Sequence, residues 1–369
     1  MFRQNPNLIQ PPLTPLSTSR PPLFLIHDGG GTIFSYYCLS DLHRPVYGIF
    51  NPCYSTKSTF EGGIPEMAKT YLDFIIETLF GDDQCDGKVS SPPPKRDDAG
   101  KAELSTSRER DLILGGWSLG GMVSLEVARQ VLDFNAAEVA QAAAKNTGKN
   151  NNNNGNLKPR KLNVLGIVMI DSMNPHQASF PPNVKIANPN ATKMQWGPHT
   201  KPETKEAVLR CFHEARRMLA FWELPSWPSV AAAATAAADG DGTTRTGPMG
   251  PPPVVLLKAK ENVPLQEPQE DEEEVSRTDV HRGDGQLGWG KYHEGMVRKV
   301  IEVEGHHFNL FTEERRAEQV TKGVREGIWG IMECGQLSWR RAALKEESVK
   351  RKTEDHEGTR KWRKEGGVC

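Results

Sequence analysis

Short apolar runs, bounded by glycine, proline or charged residues, recur along most of the chain. Such runs are typical of strands that are buried on both faces of a parallel sheet. Apolar spacings of three and four predict amphipathic helices between them, and a proline-free apolar stretch predicts another helix over 119–132. Strands that alternate with helices predict an α/β protein with a mostly parallel sheet. The predicted strands cover 22–26, 112–114, 164–170, 254–260 and 300–303, and the amphipathic helices cover 62–80 and 203–222.

The pentapeptide Gly116-Trp117-Ser118-Leu119-Gly120 joins the strand predicted at 112–114 to the helix predicted from 119. A strand, a tight turn and a helix are the context of a nucleophile elbow, in which a serine hydroxyl stands exposed at the start of a helix. The flanking glycines leave room for so sharp a turn. Ser118 is therefore a candidate nucleophile, and the alternative is an ordinary glycine-serine turn.

Other polar groups follow three more of the predicted strands. The strand at 22–26 leads into a glycine-rich loop, where N–H groups of Gly29 and Gly30, with that of Leu119, could form an oxyanion hole. Asp171 ends the strand at 164–170, where it could orient a base or simply cap a helix. A histidine pair follows the strand at 300–303. The order Ser, Asp, His matches the α/β-hydrolase fold.

These motifs together resemble the thioesterase domains of polyketide and nonribosomal peptide synthetases, with fungal examples the most similar. The resemblance covers about residues 21–335. It implies an α/β-hydrolase fold with helices on both faces of the sheet and a helical lid insertion. It also implies an enzyme without a cofactor of its own, which releases acyl chains from phosphopantetheine thioesters on an acyl or peptidyl carrier protein. The segments that carry the resemblance are 22–31, 115–121, 170–172 and 305–308.

Two site assignments have neighbours that compete for the same role. The family places its acid where Asp171 lies, whereas most other α/β-hydrolases place it one strand later, where Glu261 is the reserve candidate. The family's base is followed by an aromatic residue, which favours His307, before Phe308, over His306. Because a triad is defined by geometry, both histidines stay open at this point.

Composition narrows the possible partners and compartments. The 46 Lys and Arg residues nearly balance the 47 Asp and Glu residues, so the net charge of -1 offers no general attraction for nucleic acid or membrane. The six cysteines lack C-x-x-C spacing, which predicts neither a metal site nor a disulfide framework. Residues 1–20 have no long apolar core and predict no signal or transmembrane segment. These features favour a reducing, cytoplasmic location.

The chain divides into a flexible segment over 1–20, a catalytic domain over 21–335 and a charged tail over 336–369. About 174–252 is expected to be a lid, in which Phe212 and Trp222 could line an acyl pocket. Proline-rich, asparagine-rich and acidic stretches predict loop insertions at about 84–108, 145–160 and 262–288. The start at Met1, without a carrier or condensation domain, favours a stand-alone enzyme.

Three functions are consistent with these residues. A serine thioesterase of secondary-metabolite biosynthesis is favoured by the glycine loop and by the position of Asp171. A general carboxylesterase or lipase would use the same residues on oxygen esters. An inactive binding protein could also keep the fold, since fold does not determine function.

Overall fold

A seven-stranded, mostly parallel sheet forms the centre of the protein in a computed structural model, which describes residues 4–81, 108–147, 158–188, 196–197, 199–228, 250–265 and 274–333. The strand order is β1-β3-β2-β4-β5-β7-β9, with only β1 antiparallel to its neighbour. Strands β6 and β8 pair separately. The strands are β1 (Asn7–Gln10), β2 (Leu23–Ile26), β3 (Val46–Ile49), β4 (Glu109–Trp117), β5 (Lys161–Ile170), β6 (Lys185–Ile186), β7 (Val254–Ala259), β8 (Glu274–Val275) and β9 (Val297–Val303).

Helices cover both faces of this sheet, as the sequence predicted. The α-helices are α1 (Pro15–Thr18), α2 (Cys53–Thr56), α3 (Gly63–Phe80), α4 (Leu119–Thr147), α5 (Pro202–Phe221) and α6 (314–333). Four short 3-10 helices are Phe34–Cys38, Gln177–Ser179, Arg277–Asp279 and Trp289–Lys291. Successive strand residues point to opposite faces. In β2, Phe24 packs in the core that contains Tyr71 of α3, whereas Leu25 packs in the core that contains Val324 of α6.

The helices predicted over 62–80 and 203–222 correspond to α3 and α5. The helix predicted over 119–132 is longer, because α4 continues to Thr147. Its later turns are tied to the start of β5, where Glu138 pairs with Arg160 at 2.7 Å and the Asn135 side chain hydrogen-bonds both backbone groups of Leu162. Residues 145–147, which the sequence placed in an insertion over about 145–160, therefore belong to α4, and residues 148–157 lie outside the described ranges.

Within the segment that the sequence predicted to be flexible, residues 4–20 contain regular structure. Strand β1 pairs with β3 at the edge of the sheet. The Asn5 side chain donates to Phe50 O at 2.7 Å, and Gln10 donates to Leu39 O at 3.0 Å. Main-chain pairing orders this segment although it buries little apolar surface, which is why its composition was misleading.

The second half of the insertion predicted at about 262–288 packs against the body of the protein. There β8 pairs with β6 and Leu287 is fully buried, as is Trp289 just beyond the predicted insertion. Of the insertion predicted at about 84–108, only residue 108 is described. The predicted tail at 336–369 and residues 229–249 of the predicted lid lie outside the described residues. Among the described helices, none is long and apolar enough to cross a membrane.

The strand order brings three predicted polar groups to one edge of the sheet. Strands β4 and β5 are neighbours and end at Trp117 and Ile170, while β9 lies two positions beyond β5. Because these strands are parallel, the residues that follow them meet at the same edge.

Candidate active site

Ser118 occupies a sharp turn between β4 and α4, with a backbone φ of 56°. This left-handed conformation is costly for a residue with a side chain, and such strain is concentrated at functional sites. A Cβ atom at Gly116 would lie 2.6 Å from Ile26 O, and one at Gly120 would lie 2.1 Å from the same oxygen. Only glycine fits at either position, so the turn presses close against the end of β2.

Ser118 Oγ lies 3.0 Å from Nε2 of His307, and Nδ1 of His307 lies 2.8 Å from Oδ2 of Asp171. Since a carboxylate only accepts hydrogen bonds, Nδ1 carries the proton and Nε2 is free to accept one from the serine hydroxyl. His307 and Asp171 are buried, whereas Ser118 is half-buried. The structure thus brings the three sequence-predicted residues into one hydrogen-bonded line.

The two competing candidates lie outside this line. The backbone N–H of His306 donates to Asn309 Oδ1 at 2.7 Å. The ring Nδ1 of His306 accepts the backbone N–H of Phe308 at 3.3 Å. Glu261 is exposed, and its carboxylate accepts the Gly305 N–H at 3.3 Å. Among the described contacts, neither side chain bonds to Ser118 or His307.

Aromatic rings fix the imidazole on two sides. The Trp117 ring lies 5.7 Å from the His307 ring, and the Phe308 ring meets it edge-on at 4.9 Å. Behind the turn, Tyr36 OH accepts the Trp117 N–H at 2.9 Å and donates to Ile26 O at 2.5 Å, which ties the ends of β4 and β2 together.

Asp171 has a further partner that the sequence analysis missed. Arg282 donates to both carboxylate oxygens of Asp171, at 2.6 Å to Oδ1 and 2.8 Å to Oδ2. The N–H of Ala259 also donates to Oδ1, at 2.9 Å. No sequence signal marks Arg282, because it lies 111 positions from Asp171 in a segment that reads as a polar loop.

Burial alone would raise the pKa of Asp171. The hydrogen bonds from Arg282 and then from His307 outweigh that effect and hold the pKa of this carboxyl well below its usual range. Asp171 is therefore a carboxylate over the whole working pH range.

The glycine-rich loop follows β2, against whose end the elbow packs, and it keeps one open donor. The Gly30 N–H donates to Asp28 Oδ1 at 3.0 Å, and the Gly31 N–H donates to Asp28 O at 3.0 Å. The N–H groups of Gly29 and Leu119 have no hydrogen-bond acceptor in the part of the chain that the structure describes. Of the two loop glycines predicted for an oxyanion hole, only Gly29 keeps an unoccupied N–H.

The buried side chains of His27 and Tyr71 support this loop. His27 Nδ1 lies 2.5 Å from Asp28 O and Nε2 lies 2.5 Å from Tyr71 OH. Burial lowers the pKa of His27 to about 4, so this histidine is neutral and donates through Nδ1. Burial also raises the pKa of Asp28 to about 6, although hydrogen bonding to Gly30 and the proximity of His307 act in the opposite direction.

Helix α5, which belongs to the segment predicted to be a lid, lies directly on the glycine-rich loop. A Cβ atom at Gly29 would lie 2.8 Å from the Phe212 ring, so the predicted lid residue Phe212 touches this loop. Trp222, the other predicted lid residue, is buried in the core and donates through Nε1 to Glu126 at 3.0 Å. Phe212 is therefore beside the site, whereas Trp222 anchors the end of the helix to α4.

No family model matches the chain. It is 31% identical to probable thioesterase gloN of Glarea lozoyensis over 311 residues, which are 83% of this chain and 88% of the other. It is 35% identical over 128 residues to nonribosomal peptide synthetase imqB of Aspergillus flavus, covering 35% of this chain and 3% of the synthetase. The solved NocB thioesterase domain from the nocardicin cluster aligns with 84% of this chain and 95% of its own, at 17% identity and a TM-score of 0.42. Because the identity to gloN extends over most of both chains, this protein belongs to the same family of thioesterases.

Proposed function

We propose that this protein is a serine thioesterase that releases or edits polyketide or peptide acyl chains held as phosphopantetheine thioesters on an acyl or peptidyl carrier protein. The observation that carries the proposal is the line from Ser118 Oγ through His307 to Asp171, in a chain whose family consists of thioesterases. An activated serine and a base oriented by a carboxylate are what acyl transfer requires.

In the first half-reaction, Ser118 Oγ attacks the thioester carbonyl carbon while His307 Nε2 takes the hydroxyl proton. Asp171 accepts the Nδ1 hydrogen bond and stabilises the imidazolium that forms. The carbon–sulfur bond then breaks, and the departing sulfur takes the proton from Nε2 and leaves as the pantetheine thiol. The acyl chain remains as an ester on Ser118.

The negative charge that develops on the carbonyl oxygen needs donors that are already in place. The N–H of Leu119, at the start of α4, and the N–H of Gly29 are the proposed donors, since each lacks an acceptor among the described residues. Loss of one such donor typically costs about 3 kcal/mol of transition-state stabilisation.

In the second half-reaction, His307 removes a proton from water, which attacks the acyl ester and releases a carboxylic acid and the Ser118 hydroxyl. A hydroxyl, amine or carbon nucleophile of the acyl chain would give a cyclised product through the same steps.

The proposed carrier-protein partner is supported by the stretch of the chain that matches a nonribosomal peptide synthetase. The proposed acyl-chain contact is Phe212 on α5, which is supported by its position against Gly29, and Trp222 is proposed to hold α5 in place through Glu126. A cytoplasmic location, where carrier proteins are loaded, is part of the proposal.

Matched kinetics test the substrate class. One acyl group is presented as a carrier-protein thioester, a pantetheine thioester and an ethyl ester, with Ser118→Ala as the inactive control. We expect kcat/KM to be highest for the carrier thioester, because binding of the remote arm positions the carbonyl carbon. A higher kcat/KM for the ethyl ester would instead indicate a general carboxylesterase.

A further inference from the structure

Arg282 is a buried cation next to the proposed active site, and it takes no direct part in the proposed reaction steps. Its guanidinium makes five hydrogen bonds, all to buried groups. Two go to Asp171, two go to Asp279 at 3.1 and 2.8 Å, and one goes to Ala259 O at 2.9 Å. These bonds use all five N–H groups of the guanidinium, so no donor is left to face solvent.

The segment that carries Arg282 is fastened to the chain that follows Asp171. Trp289 Nε1 donates to Ser172 O at 2.7 Å, and the Asn174 N–H donates to Leu287 O at 2.9 Å. These bonds join the insertion between β7 and β9 to the residues just after β5. The position of the guanidinium relative to Asp171 is thus set by packing on both sides.

The electrostatics of this cluster depend on one positive charge. Two buried carboxylates, Asp171 and Asp279, share Arg282, so the three side chains together carry a net charge of -1. Without the guanidinium, the two carboxylates would remain buried without their cation, which costs free energy. That cost would favour a different orientation of the Asp171 side chain or protonation of one of the two carboxylates. The charged and titratable groups facing Arg282 or its two carboxylates are Asp171, Asp279 and His307, with His306 and Asp28 further out.

We propose that Arg282 is a positioning residue for the thioesterase reaction, acting through Asp171: its two-pronged contact fixes the carboxylate plane so that Oδ2 faces His307 Nδ1, and its charge offsets that of the carboxylate. The proposal rests on the serine mechanism proposed above. Arg282 touches neither Ser118 nor the proposed oxyanion donors among the described contacts, so it would change catalysis only through the base.

Two substitutions separate the geometric from the electrostatic part of this role. Arg282→Lys keeps a charge but cannot span both oxygens of Asp171 and reach Asp279 at once. Arg282→Met removes the charge while filling most of the volume. Arg160→Met is the matched control, since it breaks an arginine-carboxylate pair with Glu138 that lies away from the site.

The experiment measures kcat and KM for a pantetheine thioester between about pH 5 and pH 9, with the folded fraction of each variant taken from thermal unfolding. Misplacing a catalytic group by about 1 Å costs roughly 100-fold in rate, so we expect kcat per folded molecule to fall about 10-fold to 100-fold for Arg282→Lys and further for Arg282→Met, with KM changed less than about threefold. Only Arg282→Met should move the acid limb of kcat/KM to higher pH, because an unneutralised Asp171 favours the protonated imidazole. Arg160→Met should stay within about twofold of wild type.

The proposal would be overturned if Arg282→Lys kept an activity per folded molecule within about twofold of wild type at every pH. If Arg282→Met does not fold, Arg282→Lys alone still tests the proposal. Equal acid limbs in a folded Arg282→Met variant would overturn the electrostatic part. Ser118→Ala, assayed alongside, distinguishes the two proposals: if it keeps its activity, the serine mechanism itself fails, whereas an inactive Ser118→Ala with a normal Arg282→Lys removes only the role of Arg282.

Discussion

The Gly30 N–H donates to Oδ1 of Asp28 at 3.0 Å, so this carboxylate occupies one of the two loop donors that the sequence predicted for an oxyanion hole. The same carboxylate is close enough to His307 to interact with it electrostatically. Asp28 therefore shapes the glycine-rich loop and contributes to the charge around the base.

Asp28→Asn should alter stability in a pH-dependent way. Burial raises the pKa of Asp28 to about 6, above its ordinary value of about 3.9. Because the pKa of Asp28 is higher in the folded protein, the protonated group contributes its full stability below about pH 3.9, its ordinary pKa. This contribution is lost as the pH rises through about 6. The asparagine variant keeps the oxygen that accepts from Gly30 and escapes this loss. From pH 4 to pH 8 we expect it to gain about 1 to 2 kcal/mol relative to wild type in denaturant unfolding, after discounting for solvent near a half-buried group. An equal difference at both pH values would contradict this account of Asp28.

Substitutions at Ser118 should separate catalysis from backbone strain. Ser118→Ala and Ser118→Gly should both lose several orders of magnitude in kcat, because the nucleophile is gone. Since φ is 56° at this position, glycine should be more stable than alanine there by about 1 kcal/mol in denaturant unfolding. Equal stabilities would argue against a strained elbow, and more than about a tenth of wild-type kcat in Ser118→Ala would argue against the nucleophile.

The neighbouring histidines and the two acids provide internal controls for one another. His307→Ala and Asp171→Asn should each reduce kcat by about 1,000-fold or more, since they remove the base or its orienting partner. His306→Ala and Glu261→Gln should stay within about tenfold of wild type, because their contacts are to nearby backbone groups. Steady-state kinetics on one thioester decide each pair, and the reverse order in a pair would transfer the role to the other residue.

The tight contact between the elbow and β2 can be tested through stability. Gly120→Ala should destabilise the fold by about 2 kcal/mol or more, because its Cβ would lie 2.1 Å from Ile26 O, a backbone atom that cannot move aside. Gly330→Ala on α6 is the matched control, since a Cβ there meets nothing within 4 Å and should stabilise the helix by about 0.5 to 1 kcal/mol. Denaturant unfolding of both variants checks this pair, and a Gly120→Ala variant as stable as wild type would contradict the observed packing.

Five of the seven strands could be predicted, since β1 and β3 were the two that were missed, and Ser118, Asp171 and a pair of neighbouring histidines could be predicted from their positions at strand ends. Buried parallel strands read as continuous apolar runs, and parallel pairing brings their carboxyl ends together whatever the loops contain. The elbow is equally local, since its two glycines and its serine lie within five positions.

The parts that escaped prediction depend on contacts between distant segments. Arg282 acquires its role only because the insertion after β7 folds back on the end of β5, and its own neighbours in sequence are typical of a loop. Strand β1 is likewise ordered by main-chain pairing with β3, and the side chains of β1 give little sign of this pairing in the sequence. The Gly30 N–H, predicted as an oxyanion donor, donates to the Asp28 side chain two residues earlier, a contact that depends on loop conformation.

Intact-mass measurement of the protein during turnover of an acyl pantetheine thioester tests the central claim most directly, since the proposed mechanism passes through a covalent ester on Ser118. We expect a mass increase equal to the acyl group, mapped to the peptide that contains Ser118 and missing from Ser118→Ala. An adduct on another residue, or continued hydrolysis by Ser118→Ala without any adduct, would contradict the account.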